Sequence, residues 1–138
     1  KKMPNKIIID AKGAIFGRLC SFAAKKALEG NDVIIVNSEN TIMTGNKGNL
    51  IEKYLKLRRM GGGTSIKGPK YPRPPYMMLK RGIRGMLPDF RKGQGKIAFS
   101  KIKCFDKMPE EYKNEKMIKS GKDKPRKFIE LKELSERI

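Results

Sequence analysis

Two short apolar runs, Ile7-Ile8-Ile9 and Val33-Ile34-Ile35-Val36, bracket a segment with helical periodicity, and this arrangement limits the fold more than any other feature of the chain. Between them Phe16, Leu19, Cys20, Ala23 and Ala27 recur at i, i+3, i+4, i+7 and i+11, while Arg18, Ser21, Lys25 and Glu29 fall on the opposite side. Gly30 follows where a left-handed cap ends a helix. Continuous apolar runs of strand length mark strands covered on both faces. Strand, helix and strand together read as a βαβ unit, and a connection of this length favours a parallel pair with a right-handed crossover.

The rest of the 138 residues extends this unit within one domain. Thr44 to Met60 reads as a second helix, with Leu50, Ile51, Tyr54 and Leu55 at helical spacing and Thr44 or Asn46 as N-cap. Gly61-Gly62-Gly63 ends it and opens a basic Gly/Pro-rich loop over about 61–76, with prolines at 69, 72, 74 and 75. Met77 to Leu87 forms a third helix, begun by Pro75 and stopped by Pro88. Ile102 to Phe105 reads as a strand, and Lys127 to Leu131 as another before a short terminal helix.

Composition removes most catalytic chemistry. The chain has no histidine and no tryptophan, and its two cysteines, Cys20 and Cys104, stand far apart in apolar surroundings. No Ser-His-Asp or Cys-His system can be built, and two thiols fall short of a tetrahedral zinc site. Both cysteines read as buried thiols in a reducing cytoplasm. The turn after the first strand offers only Gly13 and Gly17, not the GxGxxG that admits a pyrophosphate. Gly93-Gln94-Gly95-Lys96-Ile97 lacks both the first glycine of a phosphate loop, replaced by Phe90, and the Ser or Thr after the lysine. Asp10, Glu39 and Asp89 read as caps or as partners of neighbouring cations. No cofactor, metal or small-molecule substrate is expected. No run of about 18 apolar residues exists to span a bilayer, and the opening Lys1-Lys2-Met3-Pro4-Asn5-Lys6 lacks a signal-peptide core, so neither a membrane nor secretion is expected.

The net charge of +19 is unevenly placed. Residues 54–103 carry fourteen basic residues against one acid, Asp89, whereas the flanks resemble ordinary globular sequence. On a helical wheel Leu79, Ile83, Met86 and Leu87 share one side, Lys80, Arg81 and Arg84 another, and Gly82 and Gly85 the remainder. A merely solvated face would intersperse acids, and none occurs from Tyr54 to Pro88. Phosphate contact is therefore expected of the three cations. The two glycines fit a close approach of either another element or a nucleic-acid backbone. In the preceding loop, Lys67, Lys70, Tyr71, Arg73 and Tyr76 alternate with prolines, a pattern suited to an irregular RNA surface, with cations on phosphates and tyrosines available to stack on bases. Arg18, Arg58, Arg59, Arg91, Lys92 and Lys96 complete the candidate RNA contacts.

Several blocks in this order resemble one family. Asp10-Ala11-Lys12-Gly13, Gly17-Arg18-Leu19-Cys20-Ser21, Ala24-Lys25, Val36-Asn37-Ser38-Glu39, Thr44-Gly45 and above all Lys80-Arg81-Gly82-Ile83-Arg84-Gly85-Met86-Leu87-Pro88 are similar to the ribosomal protein L-thirteen family in its archaeal and eukaryotic form. The segment Asp89-Phe90-Arg91-Lys92-Gly93-Gln94-Gly95 departs from the basic stretch closing in Arg-Gly that the family usually has there. The resemblance implies an α/β fold: a three-layer α/β/α domain with a small, mainly parallel sheet and a basic loop-plus-helix extension. It also implies a structural, non-enzymatic component of the large ribosomal subunit in the cytoplasm. Its partners would be large-subunit rRNA, whose assembly it supports, and neighbouring ribosomal proteins. The competing reading is a non-ribosomal RNA- or DNA-binding regulator or compacting protein.

Missing phosphate-loop glycines lead to a direct expectation. Calorimetric titration with ATP and with NAD will show only weak binding that disappears as salt is raised. Saturable micromolar binding at high salt would instead restore a nucleotide-using enzyme.

Overall fold

The computed structural model describes residues 6–59, 72–112, 118–119 and 127–138. Four strands form a parallel sheet in the order β4-β2-β1-β5: β1 (Lys6–Asp10), β2 (Asp32–Val36), β4 (Ile102–Cys104) and β5 (Ile118–Lys119). The register sets Ile9 beside Ile35, and Ile35 beside Cys104. A separate antiparallel pair joins β3 (Ile42–Thr44) to β6 (Phe128–Glu130).

Alternation along β1 and β2 produces two apolar clusters. Ile9, Val33 and Ile35 face the larger one, with Leu19, Cys20, Ala23 and Ala27 of α1 (Phe16–Leu28) and Leu79 and Ile83 of α3 (Pro75–Met86). Ala98 of α4 (Gly93–Ser100) and Leu131 and Leu134 of α5 (Leu131–Arg137) belong to the same cluster. Ile8, Ile34 and Val36 turn to the other face, where Tyr112 from the 3-10 turn Glu110–Tyr112 packs with Phe105 and Met108. The two apolar runs are thus buried on both sides, and among the described residues the layer over the second face is a thin one. Lys6 Nζ lies 4.4 Å from the Tyr112 ring centre and closes its rim.

Most elements follow their sequence signals. Gly30 takes φ +99° after α1, and α3 starts with Pro75 in its first turn after an extended Pro74. The second helix, α2 (Lys47–Arg59), begins later than Thr44. Asn46 caps it, its Oδ1 accepting the N–H of Gly48 at 2.9 Å and of Asn49 at 3.4 Å, while Thr44 belongs to β3. α4 has no counterpart in the sequence reading, because Gly93 and Gly95 weaken its helical signal and its apolar residues form no stripe. Met86 also departs from its wheel position. It is exposed at the last turn of α3, and Met78 occupies the core instead.

Two glycines are places of close approach. A Cβ on Gly82 would meet the Phe16 ring at 2.7 Å and Cys20 Sγ at 3.0 Å, so α3 lies directly on α1. On Gly95 it would collide with the carbonyl oxygens of Pro88 and Asp89, which seats α4 on the turn leaving α3. Gly85 has open space around its missing side chain. Cys20 is fully buried and Cys104 partly so, and desolvation pushes both thiols up to about 12.

These environments separate two alanine substitutions. Gly95→Ala, which presses against backbone, will lower stability by about 1–3 kcal/mol. Gly85→Ala, in an open helical position, will raise it by up to about 1 kcal/mol. Thermal melting of the two variants beside the parent protein checks both signs.

Candidate nucleic-acid interface

The surface at issue is built on α3, and two anchors fix that helix. Its first turn is held by Asp106, whose Oδ1 accepts the N–H of Tyr76 at 2.9 Å. Burial raises the pKa of Asp106, the Tyr76 N–H lowers it, and Glu39 raises it again. Its rotation is set by Leu79 and Ile83, both fully buried, which leaves Lys80, Arg81 and Arg84 on the partly exposed side. The wheel argument for these three cations therefore agrees with their placement.

Past Leu87 the chain turns through Pro88–Lys92 into α4. Asp89 Oδ1 accepts the N–H of Arg91 at 3.0 Å, so the single acid of residues 54–103 serves the turn's backbone. The turn brings Phe90 beneath α3. Arg84 Cζ lies 4.6 Å and Arg91 Cζ 5.3 Å from the centre of its ring. Phe90 in turn meets Phe99 edge to face at 6.1 Å, and Lys80 Nζ sits 5.3 Å from the Phe99 ring centre. Lys80, Arg84 and Arg91 thus rest on a platform of two phenyl rings. Lys92 and Lys96 are exposed at the start of α4, a helix with no acidic residue in its first turn. Cations at the positive end of a helix are unfavourable by themselves, and an anion placed there relieves them.

Other candidate residues are dispersed. Arg18 is exposed in the first turn of α1. Arg73 is exposed, but its Nε donates to the Ser135 carbonyl at 3.1 Å and so ties the start of α3 to α5. Tyr76 is 37% exposed, next to Arg73's end of the helix. Arg58 and Arg59 close α2 with their side chains outside the described residues, as are Lys67, Lys70 and Tyr71. Gly82 packs on α1, whereas the open side of Gly85 remains available to a ligand backbone.

Two features escaped sequence reasoning. The ring pair Phe90 and Phe99 is one, and its only signal in the sequence is an aromatic inside the basic run Phe90-Arg91-Lys92. A cleft of about 170 Å³ also opens between α1, α2 and α3, lined by Phe16, Tyr54, Pro72, Met78 and Arg81. Among the described residues no three His, Cys, Asp or Glu side chains gather as a metal site, and no helix is long and apolar enough to cross a membrane.

Comparison with known proteins places this architecture. The family described as ribosomal protein L13 matches residues 4–111, from the approach to β1 through the 3-10 turn under the sheet. The large ribosomal subunit protein uL13 of Methanococcus maripaludis is 45% identical over 106 residues, covering 75% of this chain and 77% of that protein. The proteins of the same name from Methanocaldococcus jannaschii and Thermoplasma acidophilum are 40% and 38% identical over 133 and 134 residues, each covering 95% of this chain and 96% of the relative. These longer alignments leave only about 5% of the chain uncovered. With the βαβ unit and the Lys80–Pro88 block inside the matched residues 4–111, and relatives aligned over as much as 95% of its length, the chain belongs to the ribosomal protein L13 family.

Proposed function

We propose that this protein binds large-subunit rRNA through the cationic surface of α3, the Pro88–Lys92 turn and the start of α4, and that it stabilises one tertiary arrangement of that RNA during subunit assembly. As a member of its family it is a structural component of the large ribosomal subunit and not an enzyme. The observation that carries the RNA reading is the density of cations on one rigid support. Lys80, Arg81, Arg84, Arg91, Lys92 and Lys96 lie on three consecutive segments whose one acid is engaged with backbone.

Release of counterions from several phosphates supplies most of the affinity in such a system, and the rigid sheet with its loops selects the RNA shape. Arg18 and the tract carrying Arg58, Arg59, Lys67, Lys70, Tyr71, Arg73 and Tyr76 would widen the contact, the tyrosines by stacking on unpaired bases. Neighbouring large-subunit proteins are expected to complete the surroundings in the assembled particle.

The ribosomal assignment separates cleanly from that of a free nucleic-acid binder. In a sucrose gradient of cell lysate at low salt the protein will sediment with the large subunit, and a high-salt wash will release it. Sedimentation with bulk DNA or with free RNA alone would favour the regulator or compacting protein.

The interface is tested by Lys80→Ala, Arg81→Ala and Arg84→Ala combined. Against purified large-subunit rRNA, the parent protein will lose about 10³ to 10⁵ in affinity between 50 and 200 mM salt if six to ten phosphates are neutralised, with a smaller coefficient where the RNA is single-stranded. The triple variant will show a slope shallower by roughly two to three, with cooperative melting retained. Loss of folding with an unchanged slope would place the RNA surface elsewhere.

A further inference from the structure

The geometry points to a preformed phosphate clamp in which Arg84 and Arg91 grip the RNA backbone together, with Phe90 as the residue that positions both guanidinium groups. This rests on the RNA-binding reading and names a site within it.

Three observations support it. First, both guanidinium carbons lie over one ring, at 4.6 and 5.3 Å from its centre, so the two charges stand no more than about 10 Å apart, within a Debye length at 0.1 M salt. Two like charges held that close repel, and a phosphate reached by both removes the repulsion. Second, each guanidinium carries five N–H donors, more than a contact with one ring can occupy, so donors remain with which to bind a phosphate. Third, the ring is itself immobilised. Its edge contact with Phe99 ties it to α4, and the seat of Gly95 on the Pro88 and Asp89 carbonyls ties α4 to the same turn. The nearby carboxylate of Asp89 accepts the backbone N–H of Arg91, which shapes the turn and leaves the clamp cationic.

Arg84 and Arg91 come from different elements, one helical and one in a turn. Without the ring each would sample many rotamers, and the RNA would have to order both on binding. Phe90 therefore acts on affinity through pre-organisation and leaves the number of neutralised phosphates unchanged. A residue that merely supplied charge would change both.

The experiment uses the full chain and deproteinised large-subunit rRNA from the same cells, with dissociation constants measured from 50 to 300 mM KCl and melting followed in parallel. Phe90→Leu removes the ring and keeps every charge. Affinity should fall about tenfold at each salt concentration with the slope unchanged, and Phe90→Tyr should remain within about twofold of the parent. Parent-like affinity for Phe90→Leu, or equal weakening in Phe90→Tyr, overturns the clamp while leaving RNA binding intact. If Phe90→Leu melts too low to measure, Arg84→Lys with Arg91→Lys replaces it. With the ring and both charges present but the planar forks gone, the same tenfold loss at constant slope is expected, and parent-like affinity overturns the proposal. A parent protein that shows no salt-dependent binding to this RNA overturns the functional reading, and the clamp with it.

Discussion

The seam between α3 and α1 decides where the positive charge of this protein points. Leu79 and Ile83 are fully buried in it, and Gly82 lets Phe16 and Cys20 come close enough that the two helices lie directly on one another. Turning α3 by a single residue would drive Lys80 or Arg84 into that seam, where an unpaired charge costs several kcal/mol. No neighbouring rotation competes with the observed one. Asp106 holds the first turn by accepting the N–H of Tyr76, and Arg73 ties the approach to α5. A helix secured at one end and along one face can present cations in a defined direction, which a flexible basic tail cannot.

Asp10, Asp89 and Asp106 each accept a backbone N–H group, from Lys12, Arg91 and Tyr76 in turn, and Asp10 also accepts a hydrogen bond from Asn37. Ion pairs occur elsewhere, as between Lys47 and Glu133 at 3.3 Å and between Arg137 and Glu133 at 3.5 Å, on exposed parts of α2 and α5 where they add little stability. The middle of the chain therefore keeps an outward field, and part of its self-repulsion is offset by rings instead of carboxylates. Phenyl rings attract a cation without neutralising it, so the field survives for a polyanion to use.

Legibility in the sequence followed the range of the interactions concerned. The βαβ unit was readable because Ile7–Ile9 and Val33–Val36 are β-branched runs and the residues between them keep one helical period. The ends of α3 were readable because proline fixes them. β3 was hidden, since Ile42–Thr44 is only three residues long and its partner strand lies over eighty residues further along the chain. α4 was hidden by glycines whose purpose is a tertiary seat on Pro88 and Asp89. At the proposed interface the same rule applies. A wheel suffices to gather Lys80, Arg81 and Arg84, but the rings beneath them depend on how α4 folds back against α3, and no periodicity encodes that. Met86 fails its wheel position for a related reason. It ends the helix, and Leu87 swings into an extended conformation that returns its own side chain to the core.

The pairing of β3 with β6 has a consequence for how the protein is made. Ile129, Leu131 and Leu134 are all fully buried in the main core, and β6 supplies the only partner strand that β3 has among the described residues. A ribosome synthesises the chain from its N-terminus, and a growing chain can form the βαβ unit early because its contacts are local. The core cannot close until residues 128–134 have left the exit tunnel. During that interval Ile42 and Met43 lack the strand that will pair with them, so apolar surface of the half-built chain stays uncovered until the C-terminal segment arrives.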